Sequence, residues 1–359
     1  MIADAVQLFS HTVPESHARF LEAAADLEVE TFTHPLTGPE GEPLQTAVAR
    51  LGPAGARNVI LSISGIHGLE GFAGSALQVG ALRSRAELLD LGPDMAVVFV
   101  HQLNPWGAAW GRKENENNQE LLRHIYHLHR PRAPNAVFAA LAEVMDYPSI
   151  RTVDEFLAAR GRVRNLADRF SLEQIGAGLI PGQDTHPTLF TFNGGPKAWS
   201  ADVLETVVRT HVAGADRVIV FDLHTAVGPW GETVIMEESP EDSEIHRRVE
   251  SWCGPLWPWG EDKQFYEWIG DFSPGSEIVT LTLECGALQL GPKDQYIFAL
   301  ESWLHHYGDR DAPEAAVHMA RFRDIFYPAS PEWMRSVWAH GAPRWRQITG
   351  GIRRWTETP

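Results

Sequence analysis

The sequence predicts an α/β fold in which one central sheet carries helices on both faces. Three observations predict it. Apolar runs of strand length recur at 58–64, 95–100, 217–224 and 278–284, as expected of strands buried on both faces. The first two runs flank a helix-like stretch at 71–89, which gives the strand–loop–helix–strand order of a βαβ unit. Finally, His67, His101, His224 and Glu284 sit at or just beyond the carboxyl ends of these runs. Open α/β sheets form their sites there.

The elements follow in order. Residues 16–27 read as an amphipathic helix capped by Ser16. Short alternating strands are expected near 29–32 and 46–51. Strand 58–64 leads into the His67 loop. The helix 71–89 has small residues on the face that would pack closely on the sheet. Strand 95–100 precedes Asn104-Pro105-Trp106-Gly107, a tight turn, and the polar run 114–118. Residues 119–170 look mostly helical, with an interruption at 130–134. The Gly- and Pro-rich stretch 178–198 reads as a long ordered loop. A helix at 199–212 feeds strand 217–224. Residues 252–275 look irregular and aromatic, and 296–340 look helical. No repeat, low-complexity segment or linker is evident. The expected organisation is a single catalytic domain over 1–359 with a largely helical insertion at about 119–200.

Composition narrows the function classes. The chain has 359 residues, enough for one large α/β domain or two smaller ones. Hydrophobic residues make up 44% and charged residues 21%, the proportions of a soluble globular protein. With 47 Asp and Glu against 30 Lys and Arg, the net charge of −17 argues against nucleic-acid partners. The basic stretch 344–354 is too short to reverse that. No run approaches the ~18 apolar residues of a membrane span. The start lacks the basic residues and apolar core of a signal peptide. Cys253 and Cys285 are the two cysteines, too few for a disulfide framework. A cytoplasmic protein with no membrane partner is expected, and no oligomeric state follows. The 13 Trp are read as core and loop anchors ahead of a cleft lining.

The chemistry concentrates in Ser64-Gly-Ile-His67-Gly-Leu-Glu70-Gly and at His224. Two His and one Glu at the ends of two buried strands suit an open zinc site, because three protein ligands leave a fourth position for water. Glu284, ending a third strand, could take the proton from such a water. Each residue also has an ordinary explanation. His and Glu three apart recur by chance, and Glu70 could cap the following helix. His224 could be a structural strand-end histidine. Asp222, two residues earlier and so on the same face, suits an edge hydrogen bond as well as a place near a metal. Glycines at 65, 68, 71 and 74 add weight to the functional side, since they permit sharp turns and close approach. A carboxylate at 284 needs partners or a metal, because burying it bare is costly.

Five stretches in order, 64–75, His101-Gln-Leu-Asn104-Pro-Trp-Gly107, Gly182-Gln-Asp-Thr-His-Pro187, Asp222-Leu-His224-Thr and Thr282-Leu-Glu284-Cys-Gly286, resemble the zinc carboxypeptidase superfamily. That superfamily includes carboxypeptidase A-like peptidases and aspartoacylase-like deacylases, and the likeness is to a bacterial branch of uncharacterised function. The resemblance implies a three-layer α/β/α fold with a mixed, mostly parallel central sheet. It implies one zinc ion (Zn2+) per chain held by His67, Glu70 and His224, with Glu284 as general base. Arg112 fits the arginine that polarises the scissile carbonyl. Tyr266 fits a substrate-facing tyrosine.

One motif departs from the family. Where the family has Asp-x-Asn-Arg, this chain has Glu120-Leu121-Leu122-Arg123. Arg123 matches the substrate-binding arginine. Glu120 keeps a carboxylate that could hold His67 from behind the metal. Leu122 cannot donate a hydrogen bond as Asn would, which implies altered substrate choice. The expected activity is zinc-dependent hydrolysis of an amide, of peptide or N-acyl amino acid type, in a small molecule or short peptide. An esterase activity would follow from the same chemistry. The alternative is a catalytically inactive zinc- and ligand-binding protein on the same scaffold; Leu122 supports it and Glu284 counts against it. A serine hydrolase is excluded, because Ser62-Ile-Ser64-Gly65 is not the Gly-x-Ser-x-Gly elbow. His124, His127 and His129 do not share one helix face and read as incidental. Cys285 reads as a packing residue.

Overall fold

The apolar runs become the middle of a seven-stranded sheet. The computed structural model describes residues 4–128, 134–179, 181–258, 265–289, 291 and 296–357, apart from the side chains of 164, 172, 176, 266 and 357. The strands are β1 (Val29–Thr37), β2 (Pro43–Leu51), β3 (Asn58–Ser64), β4 (Met95–His101), β5 (Arg217–Ala226), β6 (Thr233–Glu237) and β7 (Glu277–Gly286). Their spatial order is β1-β2-β4-β3-β5-β7-β6. The four central strands β4, β3, β5 and β7 are parallel, while β2 and β6 run against their neighbours. Because β1 is antiparallel to β2, five strands share one direction. The sheet is mixed and mostly parallel in direction, with its antiparallel ladders at the edges.

Parallel strands are covered on both faces, and every residue of β3 and β4 is buried. The helix Gly71–Arg83 lies on the face that carries Ser64 and Leu223. A Cβ on Gly74 would come within 2.7 Å of the Ser64 Cβ and 3.2 Å of the Leu223 Cβ, so the helix approaches the sheet at a distance only glycine allows. On that same face Trp345, from the long helix Pro331–Glu357, packs its ring at 5.0 Å from Phe221 and 5.7 Å from Phe99. The helix Phe265–Phe272 packs on the other face, with Gly270 against Ile278. Alternation along β5 therefore turns Asp222 and His224 away from the Gly71–Arg83 helix.

Residues 1–113, 199–289 and 326–359 form one compact unit, which holds the whole sheet. Residues 114–198 and 290–325 form a second unit. The second unit is helical, with helices at Leu121–His127, Ala136–Met145, Val153–Ala159, Tyr296–His306 and Pro313–Phe326. Its own core contains Phe138, Met145, Tyr147, Phe156, Leu300 and Trp303. The Tyr147 hydroxyl donates to the Ala299 carbonyl at 2.9 Å, and the Ser302 hydroxyl to the Thr188 carbonyl at 2.8 Å. The expected interruption at 130–134 falls largely outside the described residues, as does His129. Among the described residues, no helix is long and apolar enough to cross a membrane.

Several boundaries differ from expectation. The first helix is Val13–Ala23, capped by Thr12, whose hydroxyl accepts from Glu15 N. Ser16 lies inside that helix, and its hydroxyl donates to Ser75 at 2.8 Å. The helix expected over 71–89 breaks at Ser84 into two pieces, Gly71–Arg83 and Arg85–Leu88. The stretch expected to be irregular contains the helix Phe265–Phe272. Strand β6 was not expected at all.

Candidate metal centre

The loop after β3 is stitched to the segment after β4 by backbone bonds. Leu103 N donates to Ser64 O, Asn104 N to Gly65 O, Gly68 N to Lys113 O and Leu69 N to Arg112 O, all at 2.8–3.0 Å. Asn104 caps the short helix Pro105–Ala109 by accepting from Gly107 N at 2.9 Å. The two segments touch at Gly68. A Cβ there would lie 2.3 Å from Gly107 C and 2.4 Å from Arg112 O. Glycine at 68 is thus what lets the His67 loop sit down on its neighbour.

Glu70 stands at the N-terminus of the helix Gly71–Arg83, but its side chain makes no capping bond. The carboxylate turns instead toward the histidines. Oε1 lies 2.9 Å from His67 Nδ1, and Oε2 lies 3.1 Å from His224 Nδ1. Thr225 N also donates to Oε2 at 2.9 Å. The two imidazole rings stand edge to face, with centroids 4.9 Å apart. All three side chains are buried. His67, Glu70 and His224 each offer a ligand atom, all within 4.8 Å of one another, and among the described residues they form the one such group of three.

The electrostatics follow from this packing. Burial alone would raise the Glu70 carboxyl, but the two histidines outweigh it and hold the group far below the usual carboxylate range. Burial would lower His224, yet Asp222 and Glu70 raise it well above an ordinary imidazole. Asp222 Oδ2 sits 2.7 Å from His224 Nε2. His224 is thus gripped at both nitrogens by carboxylates, Nδ1 facing Glu70 and Nε2 facing Asp222.

Glu284 is in register with His224 across the parallel ladder of β5 and β7. Val227 N donates to its Oε2 at 3.2 Å. Burial pushes its carboxyl up to about 8; His224 opposes the rise, while Glu70 and Asp222 add to it.

Two imidazole nitrogens and a carboxylate oxygen, deprotonated or deprotonatable and gathered out of water, are a donor set that zinc accepts. The residues present fit the ion, and the set is one ligand short of a closed tetrahedral site.

The remaining candidates are placed as follows. The Arg112 side chain is fully buried, and its backbone N donates to Gly107 O at 2.7 Å, beside the His67 loop. Glu120 and Arg123 belong to the second unit. There Glu120 caps the helix Leu121–His127, accepting from Arg123 N at 3.1 Å and from Arg123 Nη1 at 2.9 Å. Leu122 is buried. Tyr266 lies in the helix Phe265–Phe272, and its side chain is outside the described structure. His101, although at a strand end, is not part of the cluster. It is fully buried, with Nε2 2.8 Å from the Ser75 hydroxyl and its ring stacked on Phe20 at 4.4 Å. The backbone donors Thr225 N and Val227 N leave no mark in the sequence, since every residue but proline carries an N–H.

Fold and site together define a mixed α/β protein with a buried His–Glu–His candidate metal centre at the carboxyl ends of its parallel strands. The chain belongs to the family described as "Protein of unknown function (DUF2817)", whose model matches residues 9–340. No curated protein matches it. Among solved structures it is similar to a metallo-carboxypeptidase from Burkholderia cenocepacia, at 14% identity over 94% of this chain and 69% of that one, with a TM-score of 0.43. It is also similar to carboxypeptidase A from Helicoverpa armigera, at 11% identity over 88% and 73%, TM-score 0.41. A third is thrombin activatable fibrinolysis inhibitor, at 14% identity over 90% and 78%, TM-score 0.43.

Proposed function

We propose that this chain is a zinc-dependent hydrolase that cleaves an amide bond, of peptide or N-acyl amino acid type, in a small or short substrate. One observation carries the reading. The buried Glu70 carboxylate lies against an imidazole nitrogen of each of two histidines, with a second buried carboxylate, Glu284, in register beside one of them. His67, Glu70 and His224 would hold the ion. When bound, zinc supplies Lewis acidity, lowering the pKa of water toward ~7 and polarising a carbonyl.

The protein's own groups do the rest. Asp222 holds the proton on His224 Nε2, so that Nδ1 is the nitrogen presented to the ion. Val227 N–H steadies Glu284 Oε2, which leaves Oε1 to take a proton from the attacking water. A nearby dication favours the ionised form of Glu284, so the group is a base at the start of the cycle. Having taken the proton, Glu284 passes it to the departing amine nitrogen. Arg112 supplies positive charge toward the carbonyl oxygen as that oxygen becomes anionic. Arg123 is paired with Glu120 and the Leu122 side chain offers no donor, which favours a substrate gripped otherwise than by an Asn–Arg pair.

The test is metal content of the purified, metal-replete protein by mass spectrometry, wild type against His67→Ala, followed by turnover of an acyl amino acid and peptide panel. About one zinc per chain, lost in the variant, together with hydrolysis of a panel member, is expected. A folded wild type with no stoichiometric metal would remove the reading.

A further inference from the structure

The strand β5 runs directly into the loop 227–232, which carries Trp230. This indole is 47% exposed. Isolated apolar residues at a surface are ordinary, but the mounting of this one is not.

Nearly every turn of the loop is tied down. Gln289 Nε2 donates to Ala226 O at 2.8 Å and to Gly228 O at 2.9 Å. Val227 N donates to Glu284 Oε2 at 3.2 Å. On the far side of the tryptophan, Gly231 N donates to Gly286 O at 2.8 Å and Glu232 N to Pro229 O at 3.0 Å. The buried Trp333 indole donates to the same Gly286 carbonyl at 2.7 Å. Ala226 is held at φ 104°, a conformation that a non-glycine residue keeps only where its surroundings enforce it. The backbone that displays Trp230 therefore has little freedom left to lose.

Position completes the argument. Trp230 is three residues beyond Val227, the residue whose N–H holds the Glu284 carboxylate. Three residues of chain span at most about 11 Å. Through Gly231 N on Gly286 O, two residues past Glu284 on β7, the backbone of Trp230 is thus held near the candidate reacting carboxylate, at the carboxyl-end rim where such sheets take their ligands. A rigid aromatic face binds apolar groups with little ordering cost.

We infer that Trp230 is a specificity-determining residue, a prepositioned aromatic platform for the apolar acyl or side-chain group of the substrate whose carbonyl meets Glu284. The inference rests on the hydrolase reading for the place of the carbonyl. It selects, within the amide class, substrates with an aromatic or long aliphatic group over acetyl or other short polar ones.

The experiment reads binding and turnover separately. Zinc-loaded wild type, Trp230→Ala and Trp230→Phe are titrated by calorimetry with acetohydroxamate and with 4-phenylbutanehydroxamate, which share one metal-seeking head and differ in apolar reach. The same proteins are assayed on N-acetyl and N-(4-phenylbutanoyl) amino acids. Wild type is expected to prefer the phenylbutane compound by about tenfold or more, Trp230→Ala to lose that preference, and Trp230→Phe to keep most of it, with acetohydroxamate affinity unchanged throughout. Equal affinities in wild type, or a preference untouched by Trp230→Ala, overturns the platform, as does a protein that binds neither compound. A Trp230-dependent preference without turnover of either amide upholds the platform and sinks the hydrolase reading. Turnover without the preference does the reverse.

Discussion

Glu284 and His224 face one another across the parallel ladder of β5 and β7, with their Cα positions in register. Neighbouring strands stand about 4.8 Å apart, so sheet spacing, and not a mobile loop, sets the separation of these residues. Asp222 occupies the equivalent place two residues back on β5 and meets His224 at 2.7 Å. Groups placed this way by strands keep their geometry better than groups placed by loops.

Replacing Glu284 by Gln keeps the shape and removes the carboxyl proposed to carry the proton. The variant is expected to hold zinc at wild-type stoichiometry and to lose about 10²–10⁴-fold in kcat. Metal analysis and steady-state kinetics on the same sample check it; activity close to wild type would strike Glu284 from the mechanism.

In the proposed site Asp222 would act through His224, whose Nε2 it meets at 2.7 Å. Asp222→Asn leaves a partner at Nε2 but no negative charge, and zinc affinity is expected to fall by about 10–100-fold. His224→Ala should abolish stoichiometric zinc. Competition against a fluorescent chelator measures both, and unchanged affinity in Asp222→Asn would show that the carboxylate is a bystander.

Gly68 tests the seating of the metal loop. An added Cβ would fall within 2.5 Å of three backbone atoms of the facing segment, at Gly107, Ala108 and Arg112. Backbone cannot swing aside as a side-chain end can. Gly68→Ala should destabilise by about 1–3 kcal/mol and weaken zinc binding, read by thermal unfolding with and without chelator. A neutral substitution would mean that the loop is not held as tightly as the close approach requires.

His101 gives a pH dependence away from the metal. Burial, aided by the nearby His17, lowers its pKa well below the ordinary imidazole value. Unfolded, it titrates near 6.5. Between these values the unfolded chain takes up a proton that the folded one refuses, so stability is full above about pH 6.5 and falls as pH drops toward the folded value. Metal-free wild type should lose thermal stability between pH 7.5 and 5 more steeply than His101→Gln, whose amide can still meet Ser16 and Ser75. Identical slopes would rule out His101 as the source.

Some of this was plain in the sequence. Strand β3 matched to the residue, because a strand covered on both faces is an unbroken apolar run. Strand β6 escaped notice, because five residues at a sheet edge, Thr-Val-Ile-Met-Glu, are too few to show a period. The first helix has its signal at Thr12-Val-Pro14-Glu15, a hydroxyl cap with Pro in the first turn, while Ser16 offers a second hydroxyl one turn on. Glu70 was the harder case. Its spacing from His67 fits a cap and a ligand equally well; the side chain makes no capping bond and meets His224, which only the β3–β5 pairing brings near. Glu120 and Arg123 pair with each other, a contact that their i,i+3 spacing at the start of a helix already allows.

The candidate metal cluster and Glu284 beside it draw on the ends of β3, β5 and β7, segments widely separated along the chain. Parallel pairing over such distances is slow, because loop closure must precede any contact that rewards it. No stretch of the unfolded polypeptide holds even two of the three strands close together. A refolding chain should therefore gain tight zinc affinity only when these ladders close, at the end of the reaction and in one step, which makes the ion a clock for completion of the sheet.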